Sequence, residues 1–324
     1  ENSLLNIAPT IFFAHGYHGT CISGAKSFKF PTTQPCDRQF GLGCLAHYFP
    51  HRCGGLNPAT MFREYAAQIR RQSALHRYRA VFVASSHMAR EYSRHGCEAS
   101  VSVVPLPVPS PRTPVEIPSS LPEDSFRLLF LGRMDPLKGG DALLAAIPLA
   151  SETLGKELSV IFAGDGIDRP RLECQSIRLM EANPNVTIHF AGWVAEEMRN
   201  ELLRATDLLV IPSVWPEPFG LAGVEAGHFS VPSAAFDVGG MSDWLQDGVN
   251  GHLASGRPPT AHGLAEAITA CLRDPEHHAR LRRGALEVAG RFQLAAHVAL
   301  LEGIFERGLQ SANSPVLPQH LSRP

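Results

Sequence analysis

The stretch RLLFLGRMDPLKGGDALLAAIPLA, residues 127–150, holds the pattern that decides the fold. Arg127–Leu131 is a short, almost wholly apolar run that reads as a buried strand, and Gly140–Ala150 sets Leu143, Leu144 and Ile147 on one helical face. A turn rich in Gly and Pro separates them. The same unit then repeats. Strands are expected at Leu158–Ala163, Val186–Phe190, Asp207–Ile211, Val231–Ala235 and near Gly251–Ala254. Helices are expected at Pro170–Glu181, Glu196–Ala205 and Leu221–His228. Short apolar strands alternating with amphipathic helices imply βαβ units and a parallel sheet. Right-handed crossovers leave the strands' carboxyl ends along one edge, where such sheets bind ligands.

Upstream lies a proline-rich run, Pro105-Leu-Pro-Val-Pro-Ser-Pro-Arg-Thr-Pro114, continuing to Pro118 and Pro122. Each proline fixes φ and removes a donor, so neither a helix nor a central strand fits there. Residues 105–124 therefore read as a linker between a domain over 1–104 and a second over 125–291. The first part is less regular. Strands are expected at Thr10–Ala14, Ala80–Ala84 and Ser100–Val104, and helices at Pro58–Tyr78 and Met88–His95. A long Gly/Cys/His loop over about 15–57 separates the first strand from the first helix, and so long a loop is expected to be functional or tied down. With three expected strands against six after the linker, this domain reads as incomplete at its amino end. Ala261–Arg273 and Pro275–Arg291 follow as helices, then an amphipathic helix within 292–310. A polar tail over 311–324 is expected to be disordered.

Composition narrows the function classes. The 324 residues are 44% apolar and 19% charged, which excludes a disordered or collagen-like chain. Twenty-nine basic against 31 acidic residues leave a net charge of −2, so no broad footprint for nucleic acid exists. No apolar run approaches the ~20 residues that span a bilayer, and residues 1–10 lack the pattern of a signal peptide. A cytoplasmic protein is the expectation. The seven cysteines make an odd count, which argues against a disulfide framework. Cys44, His47, His51 and Cys53, with Cys21 and Cys36 upstream, are either a zinc staple for the long loop or simply buried thiols; their spacing is not that of a standard finger.

Chemistry concentrates in two βα loops. Pro212-Ser-Val-Trp-Pro-Glu-Pro-Phe-Gly-Leu-Ala-Gly-Val-Glu-Ala226 follows a strand, with Glu217 in the loop and Glu225 a turn into the next helix. The opening N–H groups of that helix, at Phe219, Gly220 and Leu221, suit phosphate or hydroxyl oxygens, and carboxylates accept from vicinal hydroxyls. The other reading of Glu217 and Glu225 is as surface acids. In Leu131-Gly-Arg-Met-Asp-Pro-Leu-Lys-Gly139, Arg133 and Lys138 suit a diphosphate or form a solvated pair. Gly164-Asp165-Gly166 and Gly239-Gly240 are either tight turns or ligand loops.

Taken in order, these segments resemble family 4 of the GT-B-fold glycosyltransferases, the "group 1" nucleotide-sugar transferases. The matching elements are Gly132-Arg133…Lys138-Gly139, Gly164-Asp165-Gly166, Phe190-Ala-Gly-Trp193, Glu217-Pro-Phe-Gly-Leu221…Glu225-Ala226 and Gly239-Gly240…Asp247-Gly248…Asn250-Gly251. A looser likeness reaches His15-Gly-Tyr-His-Gly-Thr-Cys21 and Val83-Ala-Ser-Ser86. The resemblance implies an α/β GT-B architecture: two Rossmann-like domains with parallel sheets facing a cleft, the N-terminal one incomplete.

It further implies that Gly132, Arg133, Lys138 and Gly164 belong to the donor diphosphate site, and that Glu217 accepts from the transferred sugar. Amides at Phe219, Gly220 and Leu221 assist, Glu225 holds the ribose, Trp193 and Val194 border the base, and His15 stands beside the sugar. The implied reaction is retaining transfer from a nucleoside-diphosphate sugar to a glycan, lipid or small-molecule acceptor, with no further cofactor, no metal and no nucleic acid. Many relatives modify lipid-linked or envelope acceptors, which makes peripheral membrane contact compatible with the reading. The chain departs from the family at Gly240-Met-Ser-Asp-Trp244, where Asp243 takes the usual acidic position, and at its start, which reads as the middle of a domain. The alternatives are a nucleotide-sugar binding module without turnover, whether degenerate or truncated, and another GT-B enzyme such as a nucleotide-sugar epimerase or hydrolase.

Overall fold

The structure is a computed structural model that describes residues 5–97, 101–111, 121–122 and 124–313. Residues 314–324, most of the expected disordered tail, lie outside the described residues, as do 112–120 and 123 of the expected linker.

Among the described residues, the C-terminal part is built on one parallel sheet of six strands: β6 (Ser125–Leu131), β7 (Glu157–Ala163), β8 (Val186–Gly192), β9 (Leu208–Ile211), β10 (Ser233–Asp237) and β11 (Gly251–Ser255). Their order is β11-β10-β9-β6-β7-β8. The chain builds outward from β6 to β8, then returns to pair β9 on the other side of β6. That reversal opens a crevice above the carboxyl ends of β6 and β9, the switch point at which doubly wound sheets bind ligands. Phe130, Phe162 and Phe190 stack across three neighbouring strands with centroids 5.1 and 4.9 Å apart. Such apolar strands, covered on both faces by helices, are what the repeating pattern predicts.

The sequence places most of these elements within a residue or two. One strand differs: Val231–Ala235 is observed as Ser233–Asp237, because Pro232 precedes the pairing segment and has no N–H to give the ladder.

The N-terminal part carries β1 (Ile11–Ala14), β4 (Ala80–Val83) and β5 (Val101–Val103), parallel and in the order β1-β4-β5. The helix Pro58–Leu75 is capped by Asn57, whose Oδ1 accepts from the Ala59 N–H at 2.8 Å, with Pro58 at its first position. The expected helix Met88–His95 is instead Ser86–Tyr92, followed by a wide turn over Ser93–Cys97 that contains Gly96 at φ +90°. Ser85 caps it, its Oγ accepting from the Met88 N–H.

The long loop is tied down. It contains the hairpin β2 (Ser27–Phe28) and β3 (Gln34–Pro35) and a short helix Gly43–Tyr48, and its Ile22, Phe40, Tyr48 and Cys53 form a small core with Met61 of the helix Pro58–Leu75. A buried Lys26–Glu91 pair at 2.5 Å joins it to the helix Ser86–Tyr92, and the Phe40 N–H donates to His95 Nε2 at 2.9 Å. Among the described residues no three His, Cys, Asp or Glu side chains gather as metal ligands. Cys21 Sγ accepts from the Lys26 N–H, and burial, reinforced by Cys21, Cys36 and Cys44, pushes the Cys53 thiol up to about 12.

The proline-rich segment is pinned to the body, the Val108 N–H donating to Phe292 O at 2.8 Å and His297 Nδ1 lying 2.8 Å from Pro105 O. The final helix, Leu294–Asn313, runs further than expected and packs on the N-terminal sheet through Phe305 against Phe82 and His297 against Phe13. No uninterrupted apolar run of ~20 residues occurs, but one 18-residue window within the helical stretch Pro275–Glu306 reaches a mean hydropathy of 1.2, enough by length and composition to cross a membrane. A single turn at Gly290–Phe292 breaks it in two, and the first half buries Leu281, Ala285 and Val288.

Candidate active site

A cavity of about 400 Å³ opens at the switch point, between the loops that follow β6 and β9. Two glycines let these loops close on each other. Gly139 (φ +72°) lies so near the Pro212 carbonyl that a Cβ would stand 1.8 Å from its oxygen, and the Val214 N–H donates to Leu137 O at 2.9 Å. Gly239 (φ +64°), just after β10, likewise lies against the Glu217 backbone, a Cβ there falling 2.3 Å from Glu217 O. Side chains at either position would force the loops apart.

This approach brings Lys138 onto Glu217. Lys138 Nζ lies 2.5 Å from Glu217 Oε1, and Ser213 Oγ donates to the same oxygen at 2.6 Å. Glu217 is buried at 6% exposure, so its charge depends on these donors. Lys138 also faces the Trp215 ring, 5.5 Å from its centroid. Arg133 stands at the rim with its side chain 77% exposed, its Nη2 3.5 Å from Asp135 Oδ2. Asp135 in turn caps the short turn Pro136–Lys138 by accepting from the Leu137 N–H.

The helix Leu221–His228 begins at the cavity, with Gly220 at φ +93° as its N-cap. Its first N–H groups have no partners within the helix and supply partial positive charge there. Gly132, Phe219, Gly220 and Leu221 all line the cavity, but the Phe219 ring is buried against Phe292, so only its backbone is offered. From the N-terminal part, His15 lines the same cavity, its ring tilted over Phe13. The structure thus assembles His15, Arg133, Lys138, Glu217 and the 219–221 backbone around one space.

Other expected site residues sit elsewhere. Glu225 does not line this cavity. It borders an adjoining groove of about 860 Å³ between the helices Glu196–Arg204 and Leu221–His228 and the segment Val108–Pro111, with Arg199 Nη1 at 3.8 Å. The spacing of eight positions from Glu217 carries Glu225 past the loop and a full turn into the helix, whose side faces the groove. Burial raises the Glu225 pKa; Arg199 works against the rise and Glu196 adds to it.

Trp193 is 78% exposed and Val194 packs beside Leu203 in a small satellite core; neither lines the cavity or the groove. They follow β8, two strands away from the switch point. Gly164 is a packing glycine: a Cβ there would stand 1.9 Å from Gly132 O, and its N–H donates to Gly192 O at 2.7 Å. Ser213, Trp215 and Tyr17 were not legible beforehand. The signals were the place of Ser213 and Trp215 in the loop that carries Glu217, and that of Tyr17 two residues after His15. Asp243, in the segment where the chain departs from the family pattern, accepts from the Ser86 N–H at 2.6 Å and so links the two parts of the chain.

A family model described as "Glycosyl transferases group 1" matches residues 114–288. The D-inositol 3-phosphate glycosyltransferase of Thermobispora bispora is 31% identical over 224 residues, covering 64% of this chain and 49% of that protein. D-inositol 3-phosphate glycosyltransferase 2 of Catenulispora acidiphila is 33% identical over 198 residues, covering 59% and 45%. The chain spans about half the length of the curated relatives it matches. Among solved structures, Anabaena HepE in complex with UDP and glucose aligns with a TM-score of 0.63 at 20% identity, over 95% of this chain and 73% of that one. Sucrose-phosphate synthase from Thermosynechococcus elongatus aligns with a TM-score of 0.64 at 25% identity, over 85% and 67%.

Proposed function

The chain belongs to the group 1 glycosyl transferases, and from that membership we propose that its switch-point cavity takes a nucleoside-diphosphate sugar and transfers the sugar, with retention, to a hydroxyl of a glycan, lipid or small-molecule acceptor. The observation that carries the reading is the gathering of Arg133, Lys138, Glu217 and the opening amides of the helix Leu221–His228 on one cavity, with His15 facing them from the other half.

The chemistry follows from where charge moves. Cleaving the bond between the anomeric carbon and the phosphate oxygen leaves negative charge on the diphosphate and positive character on the sugar. Arg133, Lys138 and the helix amides are fixed donors for that departing charge. Glu217 is held by Lys138 and Ser213 through one oxygen, a placement suited to accepting from sugar hydroxyls rather than to attacking carbon. In the retaining course the acceptor oxygen bonds the anomeric carbon on the face the diphosphate leaves, and its proton passes to the leaving phosphate oxygen. Glu225 and Arg199, in the adjoining groove, are the groups for the nucleoside end of the same donor. Membrane contact and a cytoplasmic site of action belong to the same proposal.

Calorimetry with UDP, GDP and ADP tests it, UDP first because HepE was solved with that ligand. Binding of at least one diphosphate is expected, and binding of none overturns the reading. Glu217→Gln is expected to depress transfer more than nucleotide affinity; equal losses would reassign Glu217 to the nucleotide.

A further inference from the structure

Tyr17 lies two residues beyond His15 in the N-terminal half, yet its side chain is fully buried against the loop that carries Glu217. Its hydroxyl donates to the Pro216 carbonyl at 2.6 Å. Its ring meets Trp215 and His87 edge-on, each at 6.2 Å. The next carbonyl along the chain is held from within the C-terminal half, the Gly240 N–H donating to Glu217 O at 2.7 Å. The two peptide oxygens on either side of the Glu217 Cα are therefore fixed from opposite halves of the molecule.

The support continues behind Tyr17. Tyr92 is fully buried at the end of the helix Ser86–Tyr92, and its hydroxyl is shared between Gly16 O at 2.8 Å and His18 O at 3.0 Å, the residues flanking Tyr17. The preceding residue, Glu91, is buried with Lys26, which anchors the helix to the long loop. Burial, with the carboxylates of Glu91 and Glu217 nearby, holds the Tyr17 phenol well above its ordinary range, so it remains a donor throughout neutral pH.

We propose that Tyr17 is a positioning residue of the transfer site: its hydroxyl fixes the Pro216–Glu217 peptide from the N-terminal half, and so sets the Glu217 carboxylate against Lys138 and opposite His15. The inference rests on reading the cavity as a nucleotide-sugar site. It makes the geometry of Glu217 depend on both halves being seated together. A displacement of about 1 Å at a reacting centre costs on the order of a hundredfold in rate, so a single hydroxyl far from the bond that breaks can govern turnover.

The test is Tyr17→Phe, which keeps the ring packing and removes the hydroxyl. UDP release from UDP-glucose, with water as acceptor, gives kcat and KM. Calorimetry gives UDP affinity, and amide hydrogen exchange reads the loop 213–220. The expected result is a kcat lower by about tenfold or more, with KM and UDP affinity within about threefold. Exchange should quicken in 213–220 while the six-stranded sheet is unchanged. A variant with wild-type kcat and wild-type exchange in 213–220 overturns the proposal, as does exchange raised evenly across the molecule. Should the wild type neither bind UDP nor release it, the functional reading fails, while exchange in 213–220 still decides whether Tyr17 holds the loop.

Discussion

Glu217 and Arg133 line the same cavity, but their surroundings differ, and so do the expected consequences of changing them. The Glu217 carboxylate is almost fully enclosed and takes its two donors, Lys138 and Ser213, on a single oxygen. Lys138→Ala leaves that charge with the serine alone. Removing one partner of a fully buried pair costs about 3–5 kcal/mol; Lys138 is one-fifth exposed, so about 2–3 kcal/mol is expected by urea unfolding. Adding Glu217→Gln should restore most of the loss, and a loss unaffected by the second change would show that the pair is not what the first one broke. Arg133 is exposed, so Arg133→Ala should leave stability within about 0.5 kcal/mol. Its nucleoside diphosphate affinity should still fall by about 1.5–3 kcal/mol, the scale of a charge-assisted hydrogen bond. Calorimetry that finds affinity unchanged removes Arg133 from the site. The loops that carry both residues were legible in the sequence because each loop follows a strand, and a strand's end fixes where its loop begins. Glu225 lies a turn into its helix, as the sequence leads one to expect, but which groove it faces was not legible, because the direction of a helical side chain depends on how the helix is rotated against its neighbours.

At the scale of elements, the two site loops are set by backbone contact rather than by side chains. Gly139→Ala would put a methyl group against the Pro212 carbonyl at a positive φ. The conformation alone costs about 1–2 kcal/mol and the collision adds to it, so stability and nucleotide affinity should fall together. Affinity preserved alongside lowered stability would mean that the loops separate without disturbing the site. The helix Pro275–Ala289 supplies a pH dependence of its own. His278 is buried, its Nδ1 3.0 Å from Cys271 O, and burial lowers its pKa from 6.5 to about 4. The folded state keeps this imidazole neutral while the unfolded chain takes up a proton below about pH 6.5. Stability is therefore full above pH 6.5 and falls as pH drops toward 4, by about 3 kcal/mol in all from this group. His278→Gln should flatten that part of the pH–stability curve; an identical slope in the variant assigns the effect to other groups.

Across the described residues, the polar contacts that join the halves include Tyr17 to Pro216, the Ser86 N–H to Asp243, and Arg257 to Asp37. The last is a pair more than half exposed on both sides, so a double-mutant cycle with Asp37→Asn and Arg257→Gln should give a coupling below about 1 kcal/mol that shrinks further in salt. A larger, salt-insensitive coupling would make it a principal clasp. The sequence alone determined the doubly wound sheet, the edge at which the cavity opens, and the loops holding Arg133, Lys138 and Glu217. Those follow from periodicity and from glycine and proline placement, which act over a few residues. Only the tertiary structure decided that Lys138 and Ser213 meet on one oxygen of Glu217, that Glu225 faces an adjoining groove, and that Tyr17 reaches across 199 positions to the Pro216 carbonyl. Such contacts depend on helix rotation and on how two sheets dock, and no local pattern encodes the relative placement of segments so far apart in the chain.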